Sequence, residues 1–171
     1  MEADALNFAL LLMRLTLAVV MLAHGINHII GGGKITGTAG WFESLGMKPG
    51  IVHAWLASLT EVGAGALLVL GFLTPLAAAG VIGVMVVALV TNHLRNGFFI
   101  FRPGEGYEYV FTLTMMGLVM GTLGPGEWSL DNAADLLDWS MGWSGFLTAL
   151  IAGVGGAAAL LAGFWRPAKS S

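Results

Sequence analysis

The chain contains no cysteine and very little charge. Its 171 residues include 7 Lys or Arg and 10 Asp or Glu, so charged residues make up 10% of the sequence, against about 25% in an ordinary soluble domain. Without cysteine the chain can form no disulfide and offers no thiolate to a metal. Any redox chemistry must therefore come from a bound group or a partner. The few basic residues do not form the cluster that nucleic acid requires, so we expect no nucleic-acid partner.

Hydrophobic residues make up 57% of the sequence, and 26 residues are glycine. The apolar residues are concentrated in five runs, each close to the roughly 20 residues that cross a bilayer core; the runs cover about 6–30, 52–72, 75–93, 108–124 and 143–165. Glycine inside such runs is typical of helices that pack closely in lipid. The sequence predicts an all-α polytopic membrane bundle, with a four-helix core in residues 1–130 and an amphipathic helix plus a fifth transmembrane helix in residues 131–171.

Basic residues predict the orientation of the bundle. Apart from Arg14, which lies inside the first run, they all fall at one end of the five spans: Lys34, Lys48, Arg95, Arg102, Arg166 and Lys169. The positive-inside rule places this end in the cytoplasm. With five spans, the N-terminus is then outside and the C-terminus cytoplasmic.

Two loop segments and the last span carry helical patterns of their own. The segment Thr38 to Leu45 suits a short helix at the cytoplasmic interface. The segment from Leu130 to Met141 suits one membrane-lying helix whose aspartates, Asp131, Asp135 and Asp138, form a solvated face; the alternative is a docking surface for a partner or a cation. The last span has small residues every fourth position, Gly145, Ala149, Gly153 and Ala157. We interpret these as packing within the chain, and a contact between subunits is the alternative.

Ionisable residues inside the spans are the candidate functional residues, because a charge at the bilayer centre costs about 2.5–3.5 kcal/mol on insertion scales. His24 and His28 are four residues apart and share one face of the first span. Glu61 lies at nearly the depth of His24, about 13 Å against 9 Å from the cytoplasmic side. We expect His24 or Arg14 to be its cationic partner. The interpretation is a polar pocket for a small amphipathic molecule, with Glu61 and His24 exchanging protons with it; the alternative is an inert network that holds the helices in register.

Metal and haem sites are weaker interpretations of the same residues. His24 and His28 have the spacing of two metal ligands on one helical face, with His93 as a third, and membrane b-type haem needs only histidines on facing helices. The chain has no cysteine and no fixed third ligand, so we predict no metal site and do not favour haem. His53 is interpreted as a residue that caps the membrane interface.

The order and spacing of several short segments resemble the DoxX family of small bacterial membrane proteins. The resemblance covers roughly Leu15 to Asp131, and its marks are His24-Gly25 with an ionisable residue at 28, Ala39 to Gly46, Glu61-Val62-Gly63, Leu70 to Thr74, His93 to Phe99, and Gly106 to Tyr109. Position 28 is His where the family commonly has Lys, and the fifth span is an addition to the family's four-helix bundle.

The resemblance implies a bacterial inner-membrane subunit associated with a redox complex. Such a subunit binds a quinone or a similar apolar carrier in the cytoplasmic-side pocket, and it anchors or couples a partner oxidoreductase. The family's polar positions correspond here to His24, Glu61, His93, Asn96 and Glu108, to which the pattern of the first span adds His28 as a binding residue. Whether the chain has catalysis of its own stays open. The alternatives are a proton-coupled small-molecule carrier and a purely structural subunit.

Overall fold

The computed structural model describes residues 2–167, and within them the fold is all-helical, as predicted. The helices are α1 Ala3–Ile30, α2 Lys34–Ser44, α3 Gly50–Leu70, α4 Thr74–Ala88, α5 Glu108–Leu123, α6 Leu130–Ala133, α7 Leu137–Ser140 and α8 Gly142–Phe164. Helix α4 continues through a π-helical turn, Leu89–His93, and a 3-10 turn, Leu94–Asn96. Four helices, α1, α3, α4 with its two turns, and α8, are long and apolar enough to cross a membrane, while α5 is apolar but shorter.

The five long helices, α1, α3, α4, α5 and α8, alternate in direction, so their ends gather at two ends of the bundle. These two ends differ in charge. We call one the basic end: it holds α2, the loop between α4 and α5, and Lys34, Lys48, Arg95, Arg102 and Arg166. At this end an isolated bridge joins Met47 to Trp165. The other, which we call the acidic end, holds α6 and α7. Lys169 lies outside the described residues.

Small residues set the spacing between helices. Helix α1 packs along α3, and α4 packs along both α5 and α8. At Gly25 of α1, an added Cβ would lie 2.9 Å from both the Cβ of Glu61 and the carbonyl oxygen of Ser58, so only glycine allows α1 and α3 to approach this closely. The small residues at every fourth position of α8 are all buried within the chain. The interpretation of that stripe as intrachain packing is confirmed.

The segment between α5 and α8 differs from its prediction. It forms two separate helical turns, α6 and α7, and not one amphipathic helix. The helix is broken because Asp135 has a positive φ of 56°, a left-handed conformation that a continuing helix does not contain. Asp131, which we placed on a solvated face, is fully buried.

Asp131 is buried because it caps another helix. Its carboxylate accepts hydrogen bonds from the backbone N–H groups of Leu73, at 2.7 Å, and Thr74, at 3.0 Å. These groups belong to the first turn of α4, where a helix has no internal partners for its N–H groups. A negative charge there is also favoured by the helix dipole. The side chain thus joins the loop after α5 to the tight α3–α4 hairpin.

Arg14 also belongs to the acidic end. Its guanidinium donates to the carbonyl oxygens of Trp128, at 2.6 Å, and Leu68, at 3.2 Å, and the side chain is 1% exposed. It therefore ties α1 to the end of α3 and to the loop after α5. The prediction that Arg14 could be the partner of Glu61 is wrong, because Arg14 is held at the acidic end by these carbonyl groups.

Candidate functional site

A cavity of about 470 Å³ lies inside the bundle, a size within the usual range for small-molecule sites. Its walls come from α1, α2, α3, α4, α5 and α8 and are mostly apolar. All four histidines of the chain line it, together with four other polar side chains: His24, His28, His53, His93, Thr60, Glu61, Thr91 and Tyr109. An apolar cavity with a few convergent polar groups is the usual form of a ligand site.

The buried carboxylate of Glu61 finds its partner on α1. Oε2 of Glu61 lies 3.1 Å from Nδ1 of His28, and Glu61 itself is 3% exposed. The close approach at Gly25, one helical turn before His28, brings the two side chains together. The expected partner was His24, but the structure places His28 in that position. Neither Oε2 nor Nδ1 makes a well-oriented hydrogen bond to any described residue.

His24 lies at the edge of the same cavity with an exposed side chain. Its Nδ1 is 2.9 Å from the carbonyl oxygen of Val20, one turn back on α1. Since a carbonyl oxygen only accepts, Nδ1 must carry the proton in this contact. Nε2 is then free to accept a proton or a hydrogen bond at the edge of the cavity.

His93 reaches the cavity from the π-helical turn that ends α4. Its Nδ1 lies 2.9 Å from the carbonyl oxygen of Glu105 and therefore donates. In the neutral ring, Nε2 accepts from the hydroxyl of Tyr109 at 3.2 Å, and the two rings meet edge to face. A π-helical turn inside an α-helix is often found at functional sites. Here it carries a buried imidazole of fixed orientation into the cavity.

Asn96 and Glu108 lie outside the cavity lining. The amide of Asn96 donates to the carbonyl oxygens of Gly104, at 2.6 Å, and Glu105, at 3.1 Å. The carboxylate of Glu108 accepts from the backbone N–H of Ile100 at 3.1 Å. Both side chains therefore hold the α4–α5 loop in shape. That loop presents exposed aromatic residues, of which Phe101 is 79% exposed.

His53 is the cavity residue whose position the sequence interpretation missed. It is not an interface cap, because it is 2% exposed and packs between the rings of Phe42 and Phe164. The pattern on α3 could have indicated this, since His53, Ala57, Thr60 and Glu61 recur at helical spacing and all line the cavity. Tyr109 was missed as a cavity residue as well, although it lies in the segment Gly106 to Tyr109 that carries part of the family resemblance.

The cavity opens sideways between α3 and α8. Both helices pack on α4, yet over the described residues they scarcely contact each other. The cavity residues along this gap, Leu56 of α3 with Ala152 and Gly156 of α8, are exposed. These helices have the length and hydropathy of membrane spans, so the gap faces the hydrocarbon region. The larger cavity is therefore lined by exposed residues where these two helices part.

A second cavity of about 230 Å³ lies at the basic end, between the end of α2, the π-helical turn and the end of α8. It is more polar, and its lining includes Ser44, Asn92 and Arg95. Thr91 lines both cavities. The two cavities are therefore adjacent at Thr91.

Residues 2–167 contain no group of three or more His, Asp or Glu side chains arranged to hold a metal ion. His24 and His28 point to different surroundings, one to Val20 of its own helix and the other to Glu61. Although the two histidines are four residues apart on one helix, their side chains therefore do not converge on a common point in this arrangement.

The comparisons with known proteins agree with this architecture. The family model for DoxX matches residues 9–94. The chain belongs to the DoxX family. The matched region runs from α1 through the π-helical turn, so it includes all four histidines and Glu61, whereas Asn96 and Glu108 lie beyond it. The chain is also 30% identical over 131 residues to the uncharacterized membrane protein Rv3486 of Mycobacterium tuberculosis, covering 70% of this chain and 77% of that protein. No solved structure matches.

Proposed function

We propose that this DoxX-family protein binds a quinone or a similar apolar carrier in the larger cavity and couples it to a partner oxidoreductase. The observation that carries the proposal is an apolar cavity, lined by exposed residues of two helices long enough to span a membrane, that contains the buried carboxylate of Glu61 beside His28. A carrier with a polar ring and an apolar tail matches these two properties, since the ring needs hydrogen-bond partners and the tail needs hydrocarbon. The basic end faces the cytoplasm of a bacterial inner membrane in this proposal, by the positive-inside rule.

The cavity residues supply protons and hydrogen bonds in this function. Reduction of a quinone to a quinol takes up two electrons and two protons, one proton on each oxygen. Glu61, His28 and the free Nε2 of His24 are the groups at the cavity to which we assign the proton transfer. The chain has no cysteine, and we assign the electrons to a partner.

The α4–α5 loop is the surface we propose for that partner. Its aromatic residues Phe98, Phe99 and Phe101 are exposed, and Arg95 and Arg102 flank them. Aromatic residues and arginine are the types enriched at protein interfaces. Asn96 and Glu108 contribute by holding the loop in one conformation. A Phe101→Ser variant should lose a copurifying oxidoreductase that the unaltered protein retains; equal recovery of that partner would exclude the loop as its surface.

The proposal is tested by equilibrium binding of decylubiquinone to the protein in lipid nanodiscs, with bound quinone extracted and measured by chromatography. We expect saturable binding, weakened about tenfold in Glu61→Gln, since tenfold corresponds to about 1.4 kcal/mol, the size of a lost hydrogen bond to a charged group. Asp138→Asn, at the exposed acidic end, is the matched control and should bind as the unaltered protein does.

Absence of saturable quinone binding by the unaltered protein would reject the proposal. Two further measurements then identify the function. Proton-dependent uptake of a small substrate into liposomes would indicate a carrier in which Glu61 alternates between protonated and ion-paired forms. If the unaltered protein neither binds quinone nor takes up substrate, and Glu61→Gln changes neither result, the protein would be a structural subunit.

A further inference from the structure

His53 is the one fully buried imidazole of the described chain whose two ring nitrogens both lack a hydrogen-bond partner. Buried polar side chains in native structures normally have at least one partner. A buried group without one destabilises a protein by about 1–3 kcal/mol, and an aromatic hydrocarbon ring in the same place would avoid this. Stability of the fold therefore does not explain why position 53, in the wall of the cavity, is a histidine.

The surroundings of His53 leave one side that can open. The ring of Phe42, the buried residue of α2, lies 6.4 Å from it, while the ring of Phe164 lies 5.2 Å from it, edge to face. Phe164 is 43% exposed and ends α8, beside the gap between α3 and α8. Because Phe164 is far more exposed than Phe42, its ring is the one that can turn away from His53 with the smaller loss of packing. Its movement would uncover the imidazole to a molecule arriving from the bilayer.

His53 is also too far from Glu61 to act on the same oxygen atom. Both residues are on α3, eight positions apart, which corresponds to about 12 Å along the helix axis. Side chains on one helix lean in the same direction, so their polar groups keep much of that separation. Among the polar groups of the cavity, His53 near the basic end is thus separate from Glu61 and His28, which lie deeper in the bundle.

We infer that His53 is a second binding point of the cavity, which hydrogen-bonds a carbonyl or hydroxyl oxygen of the lipid-soluble carrier as it enters between α3 and α8. The ring of the carrier takes the place of the Phe164 side chain, against Phe42. A neutral imidazole has one donor and one acceptor nitrogen, so it can bind the carbonyl of a quinone or the hydroxyl of a quinol. This inference rests on the proposed function, because it takes the carrier to be a quinone.

The test uses nitrogen NMR of the protein with isotope-labelled histidine in nanodiscs, with and without saturating decylubiquinone. The chain has four histidines, and the signals of His53 are identified by their loss in His53→Phe. We expect quinone to shift the His53 signals in the unaltered protein and also in Glu61→Gln, since the two points are separate. Quinone that binds without moving these signals would overturn the inference and leave the proposed function standing, whereas no binding of quinone at all would reject both.

The stability of His53→Phe gives a second measurement. The variant replaces an unpaired polar ring by an apolar one of similar size between two phenylalanines. We expect its melting temperature without quinone to equal or exceed that of the unaltered protein, while its affinity for decylubiquinone falls about fivefold or more. A melting temperature lowered by several degrees would show that His53 serves the fold, and an unchanged affinity would show that the carrier does not contact it; either result rejects the assignment.

Discussion

The acidic end and the larger cavity both contain buried ionisable side chains, but these side chains differ in how many hydrogen bonds they make. At the acidic end, Asp131 accepts two backbone hydrogen bonds, and Arg14 donates to three backbone carbonyl groups through its two terminal nitrogens while its Nε has no partner. At the cavity, Glu61 and His28 face each other without a well-oriented hydrogen bond, and His53 has no partner among the described residues. Backbone groups cannot be withdrawn from a fold, whereas an unpaired side chain remains available to a ligand.

This difference separates a structural polar cluster from a functional one. A buried charge that is hydrogen-bonded to the backbone of several elements holds those elements together, and removing one partner leaves the other uncompensated. A buried polar group that is incompletely bonded contributes little to stability and is maintained for another reason. The two kinds of cluster should therefore differ in how much the free energy of unfolding changes when a member is replaced.

The largest effect is expected for Asp131→Ala. The substitution leaves the N–H groups of Leu73 and Thr74 without their acceptor and leaves Arg14 without a nearby negative charge. Loss of one member of a buried charged arrangement lowers the free energy of unfolding by about 3–5 kcal/mol, and thermal unfolding in detergent micelles should show it. Asp138→Ala, on the exposed side of α7, is the control and should change stability by about 0.5 kcal/mol or less. Equal melting temperatures for the two variants would refute the structural role of the acidic end.

Gly25→Val comes next, because it acts on the closest approach of α1 and α3. The new side chain would meet the Cβ of Glu61 and the carbonyl oxygen of Ser58 at less than van der Waals distance. Overpacking of this kind destabilises by about 1–3 kcal/mol. It should also move His28 away from Glu61 and so weaken decylubiquinone binding. Gly63→Val is the matched control, since nothing lies within 4 Å of an added Cβ there; a similar loss in both variants would contradict the argument.

Asn96→Ala tests whether the hydrogen bonds of the Asn96 amide fix the conformation of the α4–α5 loop. The variant removes the hydrogen bonds from the Asn96 amide to Gly104 and Glu105, each worth about 0.5–1.5 kcal/mol, so the free energy of unfolding should fall by about 1–3 kcal/mol. The larger consequence is local, because the loop loses part of its anchorage. We expect faster chymotrypsin cleavage at Phe101, measured by mass spectrometry of the fragments. Unchanged cleavage would mean that the carboxylate of Glu108 holds the loop alone.

The helices and the gathering of ionisable residues could be predicted from the sequence, but the partners of those residues could not. Apolar length and glycine content give the spans, and insertion energetics single out Glu61 and the histidines. Whether Glu61 meets His24 or His28 depends on the rotation of α1 against α3, which the contact at Gly25 fixes in three dimensions. Helical periodicity gives the faces of each helix and not the angle between two helices.

Asp131 and His53 were misplaced for a related reason. Asp131 stands in a segment with good amphipathic periodicity, yet its carboxylate is more strongly stabilised at the N-terminus of α4, about 57 positions earlier in the chain, than in water. His53 stands near the end of a span, where a polar residue usually meets the interface, but α2 folds over it and buries it. In both cases a tertiary contact overrides a correct local pattern.

The smallest change in stability is expected when Glu61 and His28 are replaced together, and this variant gives the clearest test of the difference between the cavity and the acidic end. Replacing both Glu61 and His28 by Leu removes the buried carboxylate together with its partner and substitutes apolar side chains, an exchange that is often neutral or stabilising for buried ion pairs in proteins. We expect the melting temperature of the double variant to stay within a few degrees of the unaltered protein, while saturable decylubiquinone binding is lost. The single variant Glu61→Leu should be the less stable of the two, because it leaves His28 beside an apolar wall. If the double variant instead lost as much stability as Asp131→Ala, the pair would be structural, and the difference between the two regions of the molecule would disappear.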